Sequence, residues 1–375
     1  MGGQHFAIKL FCILPVLWHN PNMDLQSKKL QGVVPALLDW YGANARDLPW
    51  RRDADPYRVW VSEIMLQQTR VEAVTGHYGR FLEALPDIAA LADVADDRLH
   101  KLWEGLGYYS RARNMKKAAQ MIMREYGGVF PSAHQDMLKL PGIGRYTAGA
   151  VASIAFGQAY PAVDGNVLRV LARFLGSDDD IGLQQTKSNM EAIVQGAMPR
   201  KRAGDFTQAM MELGALICVP GGAPRCGDCP LAAECEAKRH RLQQALPVKT
   251  AKKKRRIEKK TVLLLVCDGK LGLEKRPEAG LLAGMWGLPM LDGWKGAADV
   301  ETFVRENGYT VLDIGKTDAA KHIFTHIEWN MHGYAVEVEG KGVFSWASPS
   351  RLKSQYAVPS AFRAFMKEYL DKLKQ

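Results

Sequence analysis

Residues 140–164 read LPGIGRYTAGAVASIAFGQAYPAVD, and the chain can be read outward from them. Just upstream, Ser132 with Gln135 three positions on has the form of a capping box, which predicts a short helix with an apolar side at Met137, Leu138 and Leu140. Pro141-Gly142-Ile143-Gly144 breaks that helix, because proline cannot continue it and Gly142 and Gly144 permit backbone conformations closed to other residues. Arg145 to Phe156 restarts as a small-residue helix. Two helices joined this way leave bare backbone N–H groups at a helix N-terminus, a cradle for a phosphate. A loop follows, then Asp164, the expected N-cap of a helix whose apolar positions are Val167, Val170, Leu171 and Phe174. On spacing alone, Asp164 is a cap and nothing more.

At 375 residues the chain is long enough for two or three domains, and its 47% hydrophobic content is that of a globular protein. A net charge of +10 favours a polyanionic partner, nucleic acid ahead of an acidic membrane. Four of the six cysteines fall within eighteen residues, which fits a metal cluster in a reducing cytosol better than a disulfide framework, so a cytoplasmic protein is expected, nucleoid-associated if bacterial. The apolar run Phe6 to Trp18 is too short for a membrane span and is interrupted by Pro15. Residues 1–24 are therefore expected to be an extension, with Met23 an alternative start.

Leu25 to Tyr41 has the spacing of an amphipathic helix. The basic, aromatic segment Arg46 to Arg52, with Arg51 in it, leads to Asp55-Pro56, an N-cap and first-turn proline that open a helix to Leu66. Glu63 lies inside this helix among Trp60, Val61, Ile64, Met65 and Leu66. An apolar setting raises a carboxyl pKa and can keep it protonated, as a general acid requires; the plainer reading is an exposed helical glutamate. Helices are expected over Val71–Leu85 and Asp87–Leu106. Then Gly105-Leu106-Gly107-Tyr108-Tyr109, followed by Arg111 and Arg113, suits a loop pressed on DNA, with arginines on phosphates, or else a helix break with core tyrosines.

Cys218, Cys226, Cys229 and Cys235 are separated by seven, two and five residues. Thiolates this close suit an iron–sulfur cluster or zinc, although zinc sites more often use two tight pairs. Cys12 and Cys267 read as isolated buried thiols. A basic linker, 241–260, carries eight Lys or Arg between Lys249 and Lys260. Beyond it, strands at Thr261–Cys267 and Leu271–Arg276 around Asp268-Gly269, a helix near Asp299–Asn307, and strands near Ile323 and Tyr334–Val338 make an α+β domain over 261–375.

The glycine-turn hairpin, Val163-Asp164, the four cysteines and the string WVSEIMLQQTRVEAV at 60–74 together resemble the helix-hairpin-helix DNA glycosylases of the endonuclease III superfamily, and within it the MutY-type adenine DNA glycosylases. The resemblance implies a mostly α glycosylase region over 25–240, with a six-helix subdomain at about 48–158 and a [4Fe-4S] cluster subdomain at about 25–47 and 159–240. It implies Glu63 as catalytic acid and ionised Asp164 as stabiliser of an oxocarbenium-like sugar, supported by Tyr146 and Asn166. Gln68 would enter the base stack, Thr69 would lie near the opposing base, Leu106 and Tyr108 would wedge, and Arg51 and Gln208 would contact the adenine. The four cysteines would hold the cluster, although the family's first gap is six residues and this one is seven; Gly221-Gly222 can absorb the extra residue. Bifunctional members carry a lysine where Tyr146 stands. A phenol cannot form their imine and Arg145 is too strongly protonated to replace it, so a monofunctional enzyme is expected.

The tail resembles the Nudix-like domain of the same enzymes, with Phe324-Thr325-His326 in place of the loop that inspects 8-oxoguanine. Glu301 and Glu306 are too sparse an acidic set for magnesium-dependent hydrolysis. The implied partner is double-stranded DNA holding an adenine:8-oxoguanine mispair, bound by a monomer without a membrane. Rival readings are an endonuclease III-like pyrimidine glycosylase with lyase activity, a noncatalytic lesion-binding protein, and a nucleotide pyrophosphohydrolase in the tail.

Overall fold

The computed structural model describes residues 21–250 and 254–372. The apolar run at 6–18, Cys12 and positions 251–253 of the basic segment lie outside the described residues. The chain separates into two compact units, one made of the residues up to Ala45 with Val163–Lys249, the other of Arg46–Ala162 with Thr250 onward. Among the described residues no helix is long and apolar enough to cross a membrane.

The first unit begins with α1, Pro21–Asn44, whose buried stripe Leu30, Val33, Val34, Leu37, Leu38 and Tyr41 follows the helical period. The chain then enters the second unit. Here α2, Pro56–Leu66, starts where Asp55 accepts the Arg58 N–H at 2.9 Å and Pro56 takes the first helical position. Next come α3, Val71–Ala84, then α4, Ile88–Asp93, and α5, Asp96–Leu102. The single helix expected over 87–106 is thus two, because Val94 turns extended (ψ 135°) and the chain restarts at Asp96 and Asp97. The helix α6, Ser110–Glu125, buries Ala112, Ala118 and Ala119, small side chains that suit close packing. Last are α7, His134–Met137, and α8, Arg145–Ile154. The expected capping box is not formed: α7 opens at Ala133 with no side-chain cap, and the Ser132 carbonyl instead accepts Gln158 Nε2 at 3.0 Å.

Back in the first unit, α9 is Gly165–Leu175, α10 Gln184–Ala197, α11 Ala203–Leu216 and α12 Glu236–Arg239. Both α10 and α11 pack on α1, and α11 and α12 pack on α9.

The remainder of the second unit is a seven-stranded sheet: β1, Arg256–Cys267; β2, Lys270–Lys275; β3, Trp286–Gly287; β4, Met290–Asp292; β5, Tyr309–Ile323; β6, Ile327–Gly340; and β7, Ser345–Ala347. The main order is β3-β2-β1-β6-β5, and only β1 and β6 run parallel. Strand β1 begins five residues before Thr261, inside the expected linker, because Arg256–Lys260 pair with Ile327–Met331. Asp268 (φ 47°) and Gly269 (φ 68°) form the expected tight turn into β2. Side chains alternate across β1. Val262 and Leu264 pack with Phe362, Phe365 and Tyr369, while Leu263 and Leu265 pack with Val300 and Val304 of α13, Ala297–Glu306. The chain closes with α14, Pro349–Ser354, and α15, Arg363–Lys372.

Candidate functional site

In the second unit the hairpin follows from its letters. The Leu140 carbonyl accepts the Ile143 N–H at 3.1 Å across Pro141-Gly142, and Gly142 has φ 79°, the arrangement of a type II turn. A Cβ on Gly142 would also sit 2.8 Å from Asn114 Cβ. Gly144 is different: it caps α8 at φ −97° in open space, so its conformation is open to any residue and the sequence expectation is corrected there. What Gly144 leaves is an exposed helix entrance with no side-chain cap, suited to an anion. Helix α8 is fixed against the following chain at Gly149, where a Cβ would fall 2.0 Å from the Pro161 carbonyl oxygen.

Tyr146, in the first turn of α8, donates its hydroxyl to Glu63 Oε2 at 2.5 Å. Glu63 is buried on α2, which packs on α8. The carboxyl is therefore held in a dry setting by a hydroxyl donor, and the exposed-glutamate alternative is set aside. Arg51, at the end of a 3-10 turn at Pro49–Arg51, is half-buried, and its guanidinium reaches the Arg46 carbonyl at 3.3 Å.

The α2 exit and the turn after α5 meet around Arg111. Its guanidinium donates to the carbonyls of Ile64 at 2.5 Å, Met65 at 2.9 Å, Leu106 at 2.9 Å and Gly107 at 3.1 Å, and to Thr69 Oγ1 at 3.2 Å. Arg111 is thus buried rather than a phosphate contact, and Arg113 is spent on the Ala283 carbonyl at 2.9 Å. Leu106 is only 4% exposed and belongs to the core, which leaves it no face for wedging into DNA. Gln68 and Tyr108 are exposed. Thr69 is half-buried and also lies within reach of the Leu106 carbonyl, 3.4 Å away.

The tail brings its loop to the same neighbourhood, with Thr325 Oγ1 3.5 Å from the Tyr108 hydroxyl. These residues line a cavity of about 410 Å³ together with Tyr109, Ser110, Leu282, His322, Phe324 and His326. Phe324 is half-buried, edge-on to Trp329 at 4.8 Å, so its ring serves the domain core as well as the cavity. Thr325 and His326 are exposed.

In the first unit Asp164 caps α9. Its Oδ1 accepts the N–H groups of Asn166 at 2.9 Å and Val167 at 2.8 Å, and its Oδ2 accepts Asn166 Nδ2 at 2.8 Å. Burial pushes this carboxyl above its ordinary range, opposed by those bonds and by the Arg169 charge. Asn166 Oδ1 in turn accepts Arg169 Nη2 at 2.9 Å, and Arg169 Nε donates to the Cys218 carbonyl at 2.7 Å. A Cβ on Gly214 would lie 2.6 Å from Asn166 Cβ, so α11 closes on this network. Gln208 is half-buried on the same helix. Sequence reasoning missed Arg169 and Arg173. The available signal was two arginines four residues apart within an otherwise apolar helix stripe.

Cys218, Cys226, Cys229 and Cys235 are free and half-buried. Arg173 Nη1 points at Cys218 Sγ, 3.3 Å away, and Gly221 (φ 69°) lets the longer first loop turn back. Burial pushes the Cys229 thiol up to about 11, with added repulsion from the other three cysteines. Among the described residues no three His, Cys, Asp or Glu side chains converge on a single-ion site. Four soft donors in one segment suit a thiolate-held metal centre, whose positive charge would offset that thiolate repulsion. Cys267 is half-buried rather than buried.

Hairpin, dry carboxyl and cysteine segment define a helix-hairpin-helix fold of the DNA glycosylase class. Residues 61–199 match the HhH-GPD superfamily of base excision DNA repair proteins, and residues 261–368 match a NUDIX domain. The adenine DNA glycosylase of Homo sapiens is 34% identical over 377 residues, covering 82% of this chain and 67% of the relative; that of Arabidopsis thaliana is 35% identical, covering 81% and 57%. A thermostable thymine-DNA glycosylase structure superposes on 57% of the chain and 98% of its own length with TM-score 0.53 and 28% identity. The chain belongs to the adenine DNA glycosylase family, and it spans about three fifths to two thirds of the length of these two curated relatives.

Proposed function

We propose that this protein excises adenine mispaired with 8-oxoguanine, or with guanine, by hydrolysing the N-glycosidic bond and leaving an abasic site without strand cleavage. The observation that carries the reading is the buried Glu63 carboxyl bonded to Tyr146, the residue that stands where a lyase would carry its lysine. Glu63 gives its proton to an imidazole-ring nitrogen of the extruded adenine. The C–N bond breaks with its electron pair leaving on the base, and Asp164, as carboxylate, stabilises the cationic sugar. Water then adds to the sugar carbon and returns a proton to Glu63. Extrusion costs less for a mispaired base, which favours mismatches.

Support for 8-oxoguanine recognition comes from the Thr325–Tyr108 contact, which puts two hydrogen-bonding hydroxyls and an aromatic ring beside one cavity. Cys218, Cys226, Cys229 and Cys235 would hold a [4Fe-4S] cluster, which cross-links the loop after α11. The test is a glycosylase assay on duplexes that differ only in the base facing adenine, with and without alkali. Alkali-dependent cleavage at adenine opposite 8-oxoguanine and guanine, and not at adenine opposite thymine, is expected. Alkali-independent cleavage, trapped by borohydride, would favour the lyase reading.

A further inference from the structure

Between Arg46 and Ala162, Gln68 (φ 56°) and Tyr108 (φ 47°) are the two non-glycine residues in the left-handed region, and both side chains are exposed. Each such residue is strained by about 1–3 kcal/mol and persists only where its surroundings hold it. What holds both is one side chain. Arg111 is 9% exposed and spreads its guanidinium over five oxygens, two from the end of α2 just ahead of Gln68, one from Thr69 just after it, and two from the residues just ahead of Tyr108. The Trp103 ring lies 5.3 Å from the guanidinium, the Tyr108 ring 5.7 Å, and Trp103 Nε1 donates to the Gly107 carbonyl at 3.0 Å. No carboxylate among the described residues pairs with this cation. Its counter-charge is the carbonyl end of α2, where a helix dipole favours a positive group. Burial pushes the guanidinium down to about 10, which leaves it charged at neutral pH.

We propose that Arg111 is a positioning residue for base extrusion, clamping the turn at Gln68 and the turn at Tyr108 into one preformed pair of tips that enter the duplex as the adenine leaves. The inference deepens the proposed function and rests on it. Without the clamp, each tip relaxes out of the left-handed region and must be rebuilt against the DNA at every encounter. An apolar replacement would fill the space but abandon five acceptors, and lysine would satisfy only some of them. The loss should therefore fall on extrusion and spare the acid step at Glu63.

The discriminating experiment measures single-turnover adenine release by the full chain, Arg111→Met and Arg111→Lys on two duplexes, one with adenine opposite 8-oxoguanine and one with adenine opposite an abasic gap. In the second duplex the adenine has no partner, so extrusion is cheap. Strain released at one or two tips corresponds to roughly ten- to a hundredfold in rate. Arg111→Met should lose about that much on the paired duplex and return to within about threefold of the full chain on the gapped one, with Arg111→Lys in between. Equal losses on both duplexes would mean damage to the α2 site itself and overturn the inference, as would no loss on either. If Arg111→Met does not fold, the paired-to-gapped ratio for Arg111→Lys carries the same decision. Absence of release by the unaltered chain on both duplexes would overturn the glycosylase reading, and the inference with it.

Discussion

The Tyr146 hydroxyl donates to Glu63 Oε2 at 2.5 Å, tying the first turn of α8 to the interior of α2. A hydroxyl bonded to one carboxyl oxygen fixes the orientation in which Glu63, as the proposed acid, would present its proton. Tyr146→Phe keeps the ring and removes the donor. A hydrogen bond is worth about 1.5–3 kcal/mol to the carboxylate formed as the proton leaves and about 0.5–1.5 kcal/mol to the neutral acid, so adenine release should slow by roughly tenfold while duplex affinity stays unchanged, read by single-turnover kinetics and by titration of the duplex.

Asp164 sets a pH dependence. Burial raises its folded-state pKa above the ordinary 3.8. Below the unfolded value the group is neutral in both states and contributes nothing to stability. As pH rises through the interval up to the raised value, its ionisation becomes a cost to the fold. The proposed mechanism needs the ionised form, so activity should fall as pH falls through the same interval. Asn166→Ala removes the Nδ2–H bond to Oδ2, which favours the charged form, and the acid limb of the rate profile should move to higher pH. A limb that stays in place would remove Asp164 from that role.

Much of this was legible in the letters, and the reasons are local. Asp55-Pro56 opens α2, Asp164 caps α9, and Pro141-Gly142 makes the turn, because each acts on backbone groups within three residues. What the sequence hid depends on distant chain. Strand β1 begins inside a basic run because β6, some seventy residues on, supplies its partner. Leu106 is apolar and flanked by glycines, and nothing local says whether it faces bases or the core; it faces the core. Arg111 reads as a phosphate contact until the carbonyls around it are known.

The hairpin depends on two glycines for different reasons. Gly142→Ala forces an L residue to φ 79° and a Cβ to within 2.8 Å of Asn114 Cβ, which should cost about 1–2 kcal/mol and weaken duplex binding. Gly149→Ala would put a Cβ 2.0 Å from the Pro161 oxygen, an overlap only backbone movement can relieve, and should cost about 1–3 kcal/mol or more. Thermal unfolding of both variants ranks the two effects, with Gly149→Ala the more damaging.

For the cysteine segment, Cys229→Ser should lower bound iron and visible absorbance and reduce stability, measured by metal analysis on the purified protein and by thermal unfolding. Full iron content in Cys229→Ser, or zinc in place of iron in the unaltered protein, would contradict the cluster assignment.

The central claim is that Glu63 supplies the proton on which adenine leaves. Its most direct test is Glu63→Gln, assayed for single-turnover adenine release and for affinity on one and the same adenine:8-oxoguanine duplex. A general acid contributes about 10²–10⁴-fold, so release should fall by at least about a hundredfold with affinity retained. Release at the unaltered rate by Glu63→Gln would contradict the account.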